Sequence, residues 1–234
     1  MRAVARTDVG VTRENNEDFL LIHDALNFFI VSDGMGGYQA GEIASEIAAK
    51  TMMESFKKRE TFNFESDIDA LLIEANEAIL AYVKEHTECR GMGTTVVVAY
   101  VSDDDLWVAN VGDSRCYGIS SESVKQLSED HSLVAELVKI GSISVEEAEK
   151  HPDRNIITSA LGVDRKFEIF KVKYNKADFS HILLCSDGLS NMVSSNEVLD
   201  IFKRVDFDQI PKVLVDSANA HGGRDNITVV CVEL

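Results

Sequence analysis

The feature that most constrains the fold is a motif that occurs twice. Phe28-Phe29-Ile30-Val31-Ser32-Asp33-Gly34 and, far downstream, Ile182-Leu183-Leu184-Cys185-Ser186-Asp187-Gly188 each run an apolar stretch directly into Ser-Asp-Gly. Short apolar runs bounded by turn residues read as strands. A carboxylate at the end of such a strand stands at the rim of the sheet. The glycine after it lets the backbone bend and bring a carbonyl oxygen close to whatever the carboxylate holds. A third element has the reverse order, with Gly222-Gly223-Arg224-Asp225-Asn226 leading into the apolar run 227–232. In antiparallel neighbours one strand's start adjoins another's end, so Asp33, Asp187 and Asp225 are candidates to converge at one edge. Spacing alone does not say which strands are neighbours.

Further strand-like runs lie at 19–23, 94–101, 106–111 and 167–172, beside 28–32, 182–186 and 227–232 of the motifs themselves. Apolar residues at helical spacing mark helices over 42–57, 68–88, 132–140, 196–204 and 209–220. Helices and strands do not alternate one for one, which disfavours a doubly wound parallel sheet. Strands joined by short turns predict antiparallel hairpins, and the amphipathic helices need sheet faces to cover. A layered α+β sandwich is the simplest arrangement. Only Pro152 and Pro211 interrupt the chain and no Gly/Ser linker divides it, so residues 1–234 are expected to form one domain, with 139–162 as its irregular excursion.

Converging carboxylates repel unless their pKa values separate or a divalent cation neutralises them. All-oxygen donors without nearby histidine or cysteine select Mg²⁺ or Mn²⁺ over zinc or copper. Asp-Gly is also an ordinary turn signal. On the residues alone, a metal cluster and three strand-punctuating turns account for the pattern equally well. A second acidic cluster, Arg13-Glu14-Asn15-Asn16-Glu17-Asp18, precedes the strand at 19–23. Glu17 or Asp18 could reach metal-bound water there. Arg13 could clamp two phosphate oxygens, or form a surface ion pair with its acidic neighbours.

The balance of 40 acidic against 23 basic residues, net −17, argues against nucleic acid or an anionic membrane as partner. No stretch approaches the roughly 20 apolar residues of a membrane helix, and residues 1–10 lack a signal-peptide core. Four cysteines without CxxC spacing fit a reduced compartment. A soluble, cytoplasmic, monomeric chain is expected.

In order along the chain stand Thr7-Asp8-Val9-Gly10 through Arg13 and Asn16-Glu17-Asp18, then Asp33-Gly34-Met35-Gly36-Gly37, Gly93-Thr94-Thr95, Gly112-Asp113-Ser114-Arg115, Ser186-Asp187-Gly188 and Asp225-Asn226. With this ordered set the chain resembles the metal-dependent protein serine/threonine phosphatases of type 2C, in their compact bacterial form, over essentially its whole length. The resemblance implies a four-layer α-β-β-α sandwich, two antiparallel sheets packed face to face with helices on both outer faces, and a site at one end. It implies two Mn²⁺ or Mg²⁺ ions. Asp33 would bridge them, with Asp187 and Asp225 on one ion and the Gly34 carbonyl on the other, whose waters Glu17 and Asp18 would hold. Asp130 would join Asp187 at a third, weaker site. Metal-activated water would attack phosphorus in line, without a phosphoenzyme, while Arg13 binds the phosphate.

The same resemblance implies phosphoserine and phosphothreonine proteins as substrates, with a cognate serine/threonine kinase, and identifies 139–162 as a flap beside the site. Two departures stand out. Met35 occupies a place where many relatives have histidine, so it cannot protonate the leaving oxygen. Ser159 stands where arginine is frequent. Gly93-Thr94-Thr95 and Gly112-Asp113-Ser114-Arg115 read as structural turns under the site, and Asp113 receives no metal role. A phosphoprotein-binding module and a hydrolase of small phosphate compounds are the rival readings; no P-loop motif is present.

Overall fold

The computed structural model describes residues 1–36, 40–148, 150–163 and 166–234; Gly37 of the first acidic motif and Glu149 of the 139–162 segment lie outside them. Eleven strands are described, in two antiparallel sheets. One sheet has the order β1 (Arg2–Asp8), β11 (Ile227–Glu233), β10 (His181–Cys185), β7 (Arg115–Ile119), β8 (Val124–Gln126). The other has β2 (Asp18–His23), β3 (Phe28–Met35), β5 (Val96–Val101), β6 (Asp105–Val111), β9 (Phe170–Asn175), and the two-residue β4 (Gly93–Thr94) pairs with the end of β3.

Strand alternation builds the layers. Phe29 and Val31 of β3 face Ile182 and Leu184 of β10 and Val230 and Val232 of β11 in a core between the sheets. Phe28 and Ile30 point the other way, onto α1 (Gly41–Lys57) and α2 (Phe64–Glu85). Leu183, Cys185, Val229 and Cys231 point outward onto α6 (Ser195–Arg204) and α7 (Ile210–Ala220). Both faces of each central strand are thus buried, which is why these strands read as continuous apolar runs rather than as an in-out alternation. The result is the expected four-layer sandwich. Among the described residues no helix is long and apolar enough to cross a membrane.

Several elements depart from the sequence expectation, each for a physical reason. β3 runs on through Asp33 and Gly34 to Met35, because Gly34 and Met35 pair with Thr94 and Gly93. The run at 94–101 is broken at Thr95, whose side chain turns aside to hydrogen-bond the Asp33 backbone. β9 lies three residues later than expected. Phe167 and Ile169, which suggested a strand, pack on the helix-covered core instead, whereas Phe170, Val172 and Tyr174 alternate with exposed Lys171 and Asn175 in an edge strand. β1, β7 and β8 were not expected. Arg2 and Arg6 mask β1, charges that suit a sheet edge. Gly118 interrupts β7, where a side chain would collide with the Phe179 ring at 2.5 Å. α2 starts at Phe64 rather than 68 because Asn63 caps it, its side chain accepting Ser66 N–H.

Candidate active site

Each sheet contributes two acids to one joint at the end of the sandwich. Asp18 and Asp33 stand directly opposite each other in the β2–β3 ladder. Asp187 opens α5 (Asp187–Ser190) just past the end of β10, and Asp225 stands just before β11, its antiparallel neighbour. The carboxyls of Asp187 and Asp33 lie close enough for the one's charge to raise the other's pKa, so the sheets meet through acids. Ser186 ties the joint. Its Oγ donates to Asp18 Oδ2 at 2.8 Å and accepts Thr228 N–H at 3.0 Å.

The backbone around these acids is held from several sides. Thr95 Oγ1 accepts Asp33 N–H at 3.1 Å, Thr95 N–H and Thr94 Oγ1 both donate to the Asp33 carbonyl at 2.9 Å, and Thr95 Oγ1 pairs with Ser114 Oγ at 2.7 Å. Asn226 organises the opposite side. Its Oδ1 accepts Glu17 N–H at 2.8 Å, while its Nδ2 donates to the carbonyls of Asn15 at 2.8 Å and Val9 at 3.0 Å. This one buried amide fixes the loop that carries Arg13, Glu17 and Asp18. Gly34 N–H donates to the Glu17 carbonyl, and a Cβ on Gly34 would fall 2.1 Å from the Gly41 carbonyl oxygen. The Glu17 carboxylate lies against Gly41 in turn, 2.8 Å from where a Cβ on Gly41 would stand. Only glycines allow this approach.

Charge crowding is the dominant electrostatic fact. Burial first, then Asp18, Asp187, Asp113 and Asp225, hold the Asp33 carboxyl well above the ordinary aspartate range. Burial also pushes Asp18 up to about 7, the Ser186 hydroxyl on its Oδ2 opposing this. Asp187 is raised by burial and then by Asp225, and Asp113 by burial and then by Asp187. Asp18 Oδ1 is buried and has no hydrogen-bond partner. A buried carboxylate oxygen without a partner, among four further acids, is what a cation would satisfy. Among the described residues no three His, Cys, Asp or Glu side chains close into a ready-made cage. Zinc would require such a cage, whereas Mg²⁺ keeps several waters and takes one or two carboxylates. The donor set therefore fits hard divalent cations.

Arg13 stands at the open side, its Nη2 donating to Asp225 Oδ2 at 2.9 Å, with the two side chains 51% and 36% exposed. Asp130 lines the same cavity as Asp113 and Asp187 and is held by Arg115 and Gln126. Arg115 Nε reaches both of its oxygens at 3.0 Å, Arg115 Nη2 reaches Oδ2 at 2.5 Å, and Gln126 Nε2 donates to Oδ1 at 2.8 Å. Both oxygens accept hydrogen bonds, and the carboxyl of Asp113 is raised by burial, then by Asp187 and by Asp130, so the three acids lie near one another. The sequence reading set Asp113 aside because Gly-Asp-Ser looks like a turn; a turn-borne acid between two apolar strands was the signal available. Gly41 and Asn226 were likewise given no separate role. Ser159 is buried, accepting Glu168 N–H at 2.8 Å, so it pins the chain rather than facing substrate. His131, next to Asp130 in sequence, accepts Gly112 N–H at its Nδ1 at 3.1 Å.

The family model for protein phosphatase 2C matches residues 11–222. The serine/threonine phosphatase stp of Listeria welshimeri is 41% identical over all of this chain and 96% of its own length. Protein phosphatase PhpP of Streptococcus pneumoniae is 37% identical over 97% of this chain and 95% of its own. The crystal structure of the Mycobacterium tuberculosis serine/threonine phosphatase PstP/Ppp superposes with a TM-score of 0.92 at 33% identity, covering 100% of this chain and 98% of that one. The catalytic domain of PstP in complex with two manganese ions superposes at 0.88, with 31% identity over 99% and 97%. Matched in sequence over most of its length and in fold over all of it, the chain belongs to the protein phosphatase 2C family.

Proposed function

We infer that the protein is a metal-dependent serine/threonine phosphatase, a hydrolase acting on phosphoserine and phosphothreonine monoesters in proteins. The observation that carries this reading is the joint itself: Asp18, Asp33, Asp187 and Asp225 drawn together from two sheets, with a partnerless buried oxygen on Asp18 and a guanidinium at the open side. Asp33, Asp187, Asp225 and the Gly34 carbonyl would hold the two ions, with Asp33 placed to be shared, and Asp18 and Glu17 would hold their waters. For a third, weaker ion, Asp113 beside Asp187 is a better donor than Asp130, whose oxygens already accept hydrogen bonds from Arg115 and Gln126. Oxygen donors suit Mn²⁺ and Mg²⁺ alike.

Such ions, when bound, supply a lowered pKa for water and neutralisation of phosphate charge. The chain's own residues do the rest. Arg13 presents a planar fork to two phosphate oxygens. Its ion pair with Asp225 is half exposed and contributes at most about 1 kcal/mol, so it exchanges readily for a phosphate dianion. Ser186 and Asn226 keep Asp18 and the Arg13 loop from moving when the charge arrives. Met35 has no proton to give, and solvent water is assigned as the proton source for the leaving oxygen. The substrates are assigned to a cognate serine/threonine kinase, and the enzyme to the cytoplasm as a monomer.

The test is hydrolysis of a phosphothreonine peptide and an aryl phosphate by chelator-treated protein, with and without Mn²⁺, and by Asp187→Asn. Turnover that requires Mn²⁺ and falls at least about 100-fold in the variant is expected, the scale of losing one electrostatic stabiliser. Metal-independent turnover, or full activity of the variant, refutes the assignment.

A further inference from the structure

Two open sheets leave four edge strands among the described residues: β1, β8, β2 and β9. An edge offers unpaired N–H and C=O groups to any other chain, and soluble proteins guard theirs with charge or brevity. β1 carries Arg2 and Arg6, and β9 carries exposed Lys171 and Lys173. β8 is three residues long and carries Lys125, and its Gln126 lines a cavity together with α3 (Leu133–Lys139) and α4 (Val145–Ala148). β2 has no such guard. Phe19, Leu20, Leu21 and Ile22 form its middle, all apolar and none fully buried.

The outward groups of β2 follow from its pairing. Gly34 N–H donates to the Glu17 carbonyl, one place before the Asp18–Asp33 pair. Bonded pairs alternate along an antiparallel ladder, so Phe19 and Leu21 spend their backbone groups on β3, while those of Leu20 and Ile22 face out. Among the described residues no loop backbone reaches them. Two such edges laid antiparallel about Leu21 are self-complementary: Leu20 and the second copy's Ile22 exchange both bonds, and the reciprocal pair does the same. Phe19 then stands opposite the second copy's His23, an aromatic cross-strand pair.

The helix beside the edge has the same symmetry. α1 packs over β2 and β3 and runs alongside β2, with Ser45 Oγ donating to the Glu17 carbonyl at 2.6 Å and Phe56 stacking on Phe28, the partner of His23. The level of Leu21 therefore falls about two-thirds of the way from Ser45 to Phe56, near Met52. Helical spacing sets Glu46, Lys50, Glu54 and Lys58 along one flank, with Lys57 beside them, and a recess of about 300 Å³ lies there against Ile47 and Thr51. A two-fold axis at Met52 sets Lys50 against the second copy's Glu54, and Glu46 against its Lys57 and Lys58. In the single chain Lys50 is shared between Glu46 and the Phe19 ring, whereas Glu54, Lys57 and Lys58 have no ion pair among the described residues. The two helices then lie about two strand spacings apart, roughly 10 Å, an ordinary helix-packing distance.

We propose that the open edge of β2 is an interface with a second copy of this chain, two sandwiches joining into one continuous sheet about a two-fold axis through Leu21. A few hydrogen bonds and exposed ion pairs make a reversible contact, so the monomer assigned above is the state at dilution. A foreign strand would meet the same backbone, but a second copy brings the matching order of acid and base on α1. Asp24 approaches the second copy's Asp18 outside the bonded stretch, and Asp18 is buried in its own site. Both reaction centres stay open.

Sedimentation velocity over a concentration series, on the metal-loaded full chain, is the test. Wild type is expected to pass from monomer to dimer in the micromolar range. Across a two-fold axis each substitution acts twice. Glu54→Lys and Lys50→Glu should each raise the dimer Kd at least about tenfold, and the double variant, which only reverses the order of the charges, should return it to within about threefold of wild type. Ile22→Pro removes an outward N–H without touching a bond to β3 and should leave monomer alone; the charge series decides if this variant folds poorly. Aryl phosphate turnover per chain should be the same throughout. A wild type that stays monomeric up to about 1 mM overturns the proposal. So does a dimer indifferent to either single charge reversal, or a double variant no tighter than the singles. A monomer that instead binds a fluorescein-labelled peptide of alternating lysine and valine, and loses it in Ile22→Pro, gives the edge to another protein and equally overturns it.

Discussion

Asp18→Asn is the substitution that separates the needs of the fold from those of the site. In wild type the buried Asp18 carboxyl has its pKa pushed up to about 7, burial being the largest cause, against about 3.9 for an aspartate in an unfolded chain. A carboxyl whose folded value is raised binds its proton more tightly when folded. Its contribution is therefore fully present below pH 4 and is lost as pH climbs toward 7. Between pH 5 and pH 8 the metal-free wild type should lose about 3 kcal/mol through this one group. Asparagine does not titrate. Its oxygen still accepts the Ser186 hydroxyl, and its amide replaces a partnerless oxygen that faces other acids. Urea unfolding in chelator is the assay. The variant should gain on wild type by about 3 kcal/mol between pH 5 and pH 8, and end the more stable of the two at pH 8. With Mn²⁺ the order should reverse, because wild type gains about 2.7 kcal/mol at a hundredfold excess over Kd and the variant gains less. A stability difference between the two proteins that is the same at both pH values would refute the claim that crowding among these acids is relieved by protons or metal.

Ser186→Ala strips Asp18 Oδ2 and Thr228 N–H of a buried partner, and about 2 to 4 kcal/mol of unfolding free energy should be lost in urea titration. Gly34→Ala drives a Cβ to 2.1 Å from the Gly41 carbonyl, so the β3–α1 junction must move; thermal melting should show loss of Mn²⁺-dependent stabilisation even where the variant folds. Arg13→Ala should raise KM for a phosphothreonine peptide while changing stability by less than about 1 kcal/mol, since its ion pair is half exposed; steady-state kinetics beside a melt decides it.

The acids at Asp33, Asp187 and Asp225 were legible because each adjoins a long apolar run, and a run buried on both faces leaves a strong trace in sequence. Their convergence was not legible. It depends on β10 pairing with β11 and on β3 lying in the other sheet, and neither follows from spacing. Asp130 shows the same limit: nothing local announces that Arg115, fifteen residues away, closes on it. Asp113 was hidden by turn chemistry, and Gly41 by standing at a helix start where a glycine passes unremarked. β1, β7 and β8 escaped notice because edge charges and an internal glycine dilute the strand signal. Ser159 could be seen as a departure, but its hydrogen bond to Glu168 N–H could not.

The central claim is that these acids hold divalent ions through a shared ligand, Asp33. Equilibrium dialysis of chelator-treated protein against Mn²⁺ tests it most directly. Wild type should bind two ions tightly per chain, and Asp33→Asn, with its fold confirmed by circular dichroism, should lose at least one of them. Unchanged stoichiometry and affinity in that variant would contradict the account.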